Sequence, residues 1–375
     1  MTTRTAPTRT ARAVVLASAT LTIMAAAIIA PSLPAMGEVY GDGVLVRLAL
    51  TITSLAIAVS APLAGLVADR TGRQPLLTAS LVLYAVAGTA GYFVTSLPVL
   101  LGTRTLLGLA VGGVMTAVSA LITDWFEGPE RGRFLGYQQA AASLGGVVFL
   151  PLAGLLAGVD WRLPFWLYSV AALIALAAAA GLTNERPAPP QTAGGQAFPR
   201  QAIGIYLLAL VATLVFYMAP TQLPFLLRDL NASPAVIGFV IAGSTLTSVV
   251  GALVFPKLKT GKITAISVVL LGVGWLVIGY ANGVALVTAG LLIGGFGVGL
   301  VVPNLNTGLA NLARPEQRGR VLSGLVAGIF LGQFLSPLVI APLVGATSIA
   351  AAFTWTGVVT TIAGAVLALA HKEKN

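Results

Sequence analysis

The chain is built from apolar runs long enough to cross a lipid bilayer, and no other feature limits its fold as tightly. A bilayer-spanning helix needs about 20 mostly apolar residues. Dividing the sequence at charged or Gly/Pro-rich breaks gives spans at 13–35, 44–68, 75–95, 97–123, 133–157 and 163–183. A second set follows at 202–226, 234–256, 263–281, 284–310, 320–344 and 347–370. Only 9% of residues are charged, where a soluble domain carries about 25%. The reading is therefore an all-α integral membrane protein with twelve transmembrane helices. Twelve spans in 375 residues leave almost nothing for an extramembrane domain, so the function must lie inside the bilayer.

The positions of the basic residues test this division, because cytoplasmic loops collect Lys and Arg. Seventeen of the 21 fall on one side, the side both termini share, from Arg4, Arg9 and Arg12 through Arg70, Arg73, Arg131 and Arg133 to Lys372 and Lys374. The opposite side and the spans hold only Arg47, Arg104, Arg162 and Arg228. Both termini are expected in the cytoplasm, with the chain in the cell inner membrane. A cleaved leader fits less well, since removing the first apolar run would leave eleven spans and spoil the charge pattern.

The stretch 184–201, NERPAPPQTAGGQAFPRQ, supports neither helix nor strand and splits the spans six and six. The expected organisation is a six-helix bundle at 1–183, a cytoplasmic linker at 184–201 and a second bundle at 202–375. Sequence features recur between the halves. DRTGR at 69–73 matches LKTGK at 258–262, an offset of 189, and RGRFLG at 131–136 matches RGRVLSG at 318–324, an offset of 187. Parallel six-helix repeats are a transporter architecture that binds substrate near the midplane between the halves.

Several function classes are excluded or disfavoured. The chain has no cysteine, and its single histidine, His371, lies in the polar tail. An intramembrane enzyme would need a nucleophile–base pair, a metal cluster or a carboxylate dyad, and none is present. GGFGVG at 294–299 lies mid-span with no strand before it, so it does not read as a nucleotide loop. No cofactor is expected. The basic residues are spread over seven cytoplasmic segments, which disfavours nucleic acid as a partner. The expected partners are a small-molecule substrate and the lipid bilayer, with the chain acting as a monomer.

With these features in hand, the sequence resembles the major facilitator superfamily, and within it the twelve-helix drug-efflux branch of drug/proton antiporters. The most specific element is GLVADRTGRQPLL at 65–77, similar to the family's signature between helices 2 and 3; Gly65, Asp69, Arg70, Gly72 and Arg73 match it, and Gln74 stands where a basic residue is usual. Arg104 resembles the family's helix-4 arginine, and DWRLPFW at 160–166 resembles a turn between helices 5 and 6. Helix 5 carries the antiporter signature in reduced form, with Leu150 before Pro151 and a single Gly154 after it. The resemblance implies two pseudo-symmetric six-helix bundles and a latch. In that latch Asp69 meets the start of helix 11, around Gly319 and Arg320, when the cytoplasmic gate closes, and Arg73 pairs with Asp124.

Glycines have steric readings. Gly65 is expected to allow close helix approach and Gly72 a turn with positive φ. The pairs Gly108/Gly112, Gly295/Gly299 and Gly328/Gly332 are four apart, as tight helix packing requires. An arginine inside a span is costly and by default marks a pathway or an internal pair, so Arg104 is a substrate-binding candidate, with snorkelling to the outer interface as the bland alternative. Arg47 reads as interfacial. Further candidates for a neutral, amphipathic site are Gln138, Gln139, Tyr217, Gln222, Asn304, Asn306 and Gln333, because amides and hydroxyls in lipid need partners. All 11 acids fall at span ends or in loops, so proton coupling would have to use Asp69, Asp124, Glu38 or Asp42.

These features point to a secondary active exporter of small lipophilic or amphipathic compounds, working by alternating access and driven by a proton gradient. The alternative is a facilitator or importer of a neutral metabolite or sugar. A receptor that kept the fold would not explain the intact gate motif.

Overall fold

The computed structural model describes residues 7–41, 43–183, 200–258, 262–312 and 318–372. Among these the regular structure is helical throughout. In chain order the α-helices are α1 (Arg9–Ala27), α2 (Leu33–Tyr40), α3 (Val44–Thr71), α4 (Arg73–Ala90), α5 (Leu97–Trp125), α6 (Gly128–Ala157) and α7 (Val170–Gly181). They continue as α8 (Arg200–Phe216), α9 (Met218–Asp229), α10 (Pro234–Val254), α11 (Ile263–Gly279), α12 (Val284–Leu312), α13 (Arg318–Ala346) and α14 (Ile349–Lys372). The linker 184–199 lies outside the described residues.

Local chemistry sets the helix ends. The Thr8 side chain accepts a hydrogen bond from the Ala11 N–H at 3.1 Å and caps α1, and Ser233 does the same for α10. Proline in the first turn of α5, α6 and α10 removes an N–H that would have no helical partner. Between α3 and α4 the chain turns at Gly72, whose φ of 99° a side chain would strain.

Two spans expected as single helices are broken, both for the same reason. A proline cannot donate to the carbonyl four residues before it. Pro31 leaves Ala27 without that donor, and α1 ends at Ala27, passing through a short 3-10 turn, Ala30–Ser32, into α2. Pro220 leaves Phe216 without its donor, and α8 ends at Phe216 before α9 begins at Met218.

The span count differs from the sequence expectation. Among the described residues nine helices are long and apolar enough to cross a membrane, or ten if the bent pair Val44–Ser60 and Leu63–Thr71 is one span. The expected span 263–281 forms a helix of only 17 residues, Ile263–Gly279. The expected span 75–95 forms Arg73–Ala90, 18 residues that open on Arg-Gln-Pro and end at Gly91. Leu173, Leu176, Leu253, Val359 and Leu369 are all largely exposed on the isolated chain, the surface a bilayer would cover.

Helix packing repeats between the halves. α3 packs on α5 as α10 packs on α12, α4 on α5 as α11 on α12, α4 on α7 as α11 on α14, and α1 on α6 as α8 on α13. The halves meet through α6 against α10 and through α3 against α13, two contacts that exchange under the same relation. Small residues make these crossings close, as the glycine spacing predicts. A Cβ on Gly295 would lie 2.6 Å from the Ser244 carbonyl oxygen of α10, and one on Gly328 3.1 Å from that of Tyr206 in α8. Gly65 is different: the space around its missing Cβ is open, so the expected close approach is not made there.

The two ends of the seam are unlike. At the end away from the loop arginines, α2 and the 3-10 turn pack on α9, and every residue of α9 from Met218 to Leu227 is buried. At the opposite, arginine-rich end, only Phe134 is buried between Gly132 and Ala140 of α6. The seam is sealed at one end and open at the other.

Candidate functional site: the seam between the helix groups

The sealed part of the seam is polar. Ser54, on α3, donates to Gln333 Oε1 on α13 at 2.7 Å, and Tyr217, at the α8–α9 break, lies beside the same serine. About two turns toward the sealed end, Arg47 Nε donates to Gln222 Oε1 on α9 at 2.9 Å. The Arg47 guanidinium lies over the Phe225 ring at 4.1 Å from its centroid and also donates to the Gly43 carbonyl, which fixes the side chain across the seam. Arg47, Thr51, Ser54, Thr221, Gln222 and Ser336 are all buried. Among their atoms Thr51 Oγ1, Gln222 Nε2 and Ser336 Oγ have no protein hydrogen-bond partner. Buried polar atoms are nearly always paired; these three lie on elements that face one another across the seam and are open to something that enters it, whereas Arg104 Nε and Nη1 and Ser244 Oγ are unpaired within a single half. Among the described residues no aspartate or glutamate is buried, so what enters meets hydroxyls, amides, a guanidinium and an aromatic ring.

Of the sequence candidates, the structure gathers Tyr217, Gln222 and Gln333. The others sit elsewhere. Gln138 and Gln139 lie on the open stretch of α6, partly exposed and exposed, toward the arginine-rich end. Asn304 Nδ2 donates to Thr264 Oγ1 on α11, inside its own half, and Asn306 turns back to the Val302 carbonyl of its own helix.

Arg104, too, is placed away from the seam. It is completely buried, but its Nη2 donates to the Ala87 and Gly88 carbonyls, at 3.2 and 2.8 Å, in the last turn of α4. The negative end of a helix dipole favours a cation there. The guanidinium also lies 4.9 Å from the centroids of both Phe165 and Tyr168. Tyr168 and Tyr84 in turn donate to the Ala25 and Leu21 carbonyls of α1, each at 2.9 Å. Arg104 thus ties α4, α5 and the 160–169 segment together within one half and does not reach the seam.

The gate-motif residues form a charge bridge. Arg73 Nη1 pairs with Asp69 Oδ1 at 2.9 Å and Arg73 Nε with Asp124 Oδ2 at 3.3 Å, so one arginine joins the ends of α3, α4 and α5. Arg70 is exposed. The side chains of Gly319 and Arg320 lie outside the described residues, as does Asp42.

Sequence reasoning missed Arg47, Ser54 and Phe225 as seam residues. The Arg47–Gln222 pair is separated by 175 residues and Ser54–Gln333 by 279, so no local pattern announces either.

Comparison with known proteins decides the family. The description Major Facilitator Superfamily matches the chain twice, over residues 15–204 and 205–375. The chain belongs to the Major Facilitator Superfamily. It is thus a transporter and not an enzyme, and the duplicated match agrees with the repeated helix packing. Relatives of this superfamily member include the quinolone resistance protein NorA of Staphylococcus aureus, 23% identical over 87% of each chain. A probable 4-methylmuconolactone transporter of Cupriavidus pinatubonensis is 32% identical over 38% of this chain; the match spans about a third of that relative's length. The minor myo-inositol transporter IolF of Bacillus subtilis is 36% identical over 29% of this chain and 25% of its own. Among solved structures, a bacterial homologue of the lysosomal transporter Spinster, inward-facing and occupied, superposes with a TM-score of 0.77 at 14% identity over 96% of both chains. The xylose transporter XylE of E. coli in its inward-open conformation gives 0.75 at 15% identity over 95% and 94%. At such identity these two share the fold.

Proposed function

We propose that this transporter exports small lipophilic or amphipathic compounds by alternating access, driven by a proton gradient. Twelve spans in two six-helix bundles, 1–183 and 202–375, joined by the linker 184–201, would place both termini in the cytoplasm of a cell inner membrane. The arginine-rich open end then faces the cytoplasm, and the chain works as a monomer. The observation that carries the reading is the seam itself: unpaired buried donors near Phe225 and Arg47, with no buried carboxylate among the described residues. Such a lining suits a ligand that is largely neutral and offers a few acceptors, because a permanent cation would find no compensating charge. The similarity to the quinolone resistance protein supports export.

In this account the Arg47–Gln222 clamp holds the outer end shut while the inner end is open. The Asp69–Arg73–Asp124 bridge stands ready to latch α13 when the inner end closes. Proton coupling would use Asp69, Asp124, Glu38 or Asp42; the first three are not buried. A second reading, uptake of a neutral metabolite or sugar, is favoured by the similarity to the myo-inositol transporter and rests on the same amides. Binding separates the two. A lipophilic fluorescent dye should bind the purified protein and lose affinity about 10-fold in Ser54→Ala/Gln333→Ala, whereas a sugar that displaces the dye stoichiometrically would favour uptake.

A further inference from the structure

A second cavity lies at the arginine-rich end, away from the seam. It has a volume of about 290 Å³ and is lined by Arg12 of α1, Phe126 after α5, and Glu130, Arg133, Phe134 and Tyr137 of α6. Phe126 and Phe134 are buried and stacked, their centroids 4.7 Å apart, and form the floor. Arg12 lies over the Phe126 ring at 5.6 Å. Arg133 Nε donates to the Tyr137 hydroxyl at 2.8 Å, which leaves that hydroxyl its own proton to give. Neither arginine is within ion-pair distance of a carboxylate among the described residues. The rim acid Glu130 leaves the cavity one net positive charge.

The direction of this cavity identifies what it takes. On α6, Gly146, Leu150 and Gly154 pack against α10. Glu130, Arg133, Phe134 and Tyr137 lie on the opposite side of the helix by their spacing. So do Leu144, Val148, Leu152 and Leu155, each of them exposed. An apolar stripe therefore runs from the mouth of the cavity along the full span, on the face turned away from the seam, where lipid would lie.

We propose that this cavity binds the phosphodiester headgroup of an anionic phospholipid, with one acyl chain laid along the inner part of the stripe, from Tyr137 to Val148, about 16 Å of helix and one leaflet's depth. The two guanidiniums and the Tyr137 hydroxyl supply donors for the phosphate oxygens. The stripe explains why the ligand is a lipid and not a free phosphate, which would have no use for it.

The test uses the full-length protein and native mass spectrometry of lipid binding, titrating phosphatidylglycerol or phosphatidylcholine, with inorganic phosphate as a soluble anion. Phosphatidylglycerol should bind preferentially and weaken about 5-fold in Arg12→Gln and about 30-fold in Arg12→Gln/Arg133→Gln. Arg131→Gln is the comparison: Arg131 bonds to Thr123 and lies outside the cavity, so its loss should be under about 2-fold. Equal loss in all variants would mean general surface charge and overturn the site. Unchanged binding in the double variant would overturn it as well. Displacement of phosphatidylglycerol by millimolar inorganic phosphate would make it a soluble-anion site and overturn the lipid assignment. Arg12→Gln alone, on an exposed side chain, decides the matter if the double variant does not fold.

Discussion

A close crossing between the halves lies at Gly154 of α6 and Gly238 of α10, and adding one carbon there should open the sealed end. A Cβ on Gly238 would sit 2.5 Å from the Leu150 carbonyl oxygen and 3.2 Å from the Gly154 Cα. A Cβ on Gly154 would sit 2.5 Å from the Pro234 carbonyl oxygen. Ordinary contact begins at 3.4 Å, and every atom met is backbone, so no side chain can swing away. The helices must separate by about 1 Å, and overpacking of this kind costs about 1–3 kcal/mol. The gain in helix propensity of alanine over glycine is the same in every conformation, whereas the clash exists only while this end is closed. Gly238→Ala should therefore shift the closed-to-open ratio of that end by about 5- to 150-fold. The chain has no cysteine, so spin labels can be placed cleanly at Val159 and Tyr280, both highly exposed at that end. Electron–electron double resonance should show a longer distance gaining population in Gly238→Ala. Gly204→Ala, where the space is open, should leave the distribution unchanged. An unaltered distribution in folded Gly238→Ala would refute the claim that this crossing holds the end shut.

Other substitutions separate structural from transport roles. Arg47→Ala removes a charged hydrogen bond worth about 1.5–3 kcal/mol and the contact with Phe225, so the same labels should report opening without loss of membrane insertion. Asp69→Asn should lower the transport rate while changing the melting temperature little, because a pair this exposed contributes about 0–1 kcal/mol; normal transport would remove the latch from the account. Arg104→Ala should destabilise the protein by several kcal/mol, through two lost carbonyl bonds and two lost ring contacts, and thermal unfolding measures it. Transport per folded molecule should survive that change, and Arg104→Lys should recover only part of the stability, since a lysine cannot lie flat between two rings.

The two arginines near the sealed end show what a sequence of this kind reveals. Arg47 and Arg104 each sit within about two turns of a helix start, and depth along a span is legible from apolar runs and loop charges. The side of the helix a residue faces is not. Arg104 reads as a pathway residue and turns inward to the end of α4; Arg47 reads as interfacial and crosses to the other half. The Arg73–Asp124 pair is legible only through the family resemblance, since Asp124 lies 51 residues from Arg73 and outside the 65–77 motif. Pro31 and Pro220 coincide with the breaks at Ala27 and Phe216, but Pro151, Pro224, Pro303, Pro337 and Pro342 sit inside unbroken helices, so a proline in the sequence does not by itself say which helix will break. Tyr217 and Gln333 were found as polar residues in apolar spans, but Asn304 met the same criterion and found its partner in Thr264. Only packing distinguishes a seam amide from one satisfied within its own half.

The most direct test of gradient-driven export is movement of a lipophilic fluorescent dye across proteoliposomes, with an imposed proton gradient and with the gradient collapsed. The account predicts uphill movement that requires the gradient, is lost in Asp69→Asn, and is weakened in Ser54→Ala/Gln333→Ala. Equal movement with and without the gradient, stopping at equal concentrations, would contradict it and make the protein a facilitator.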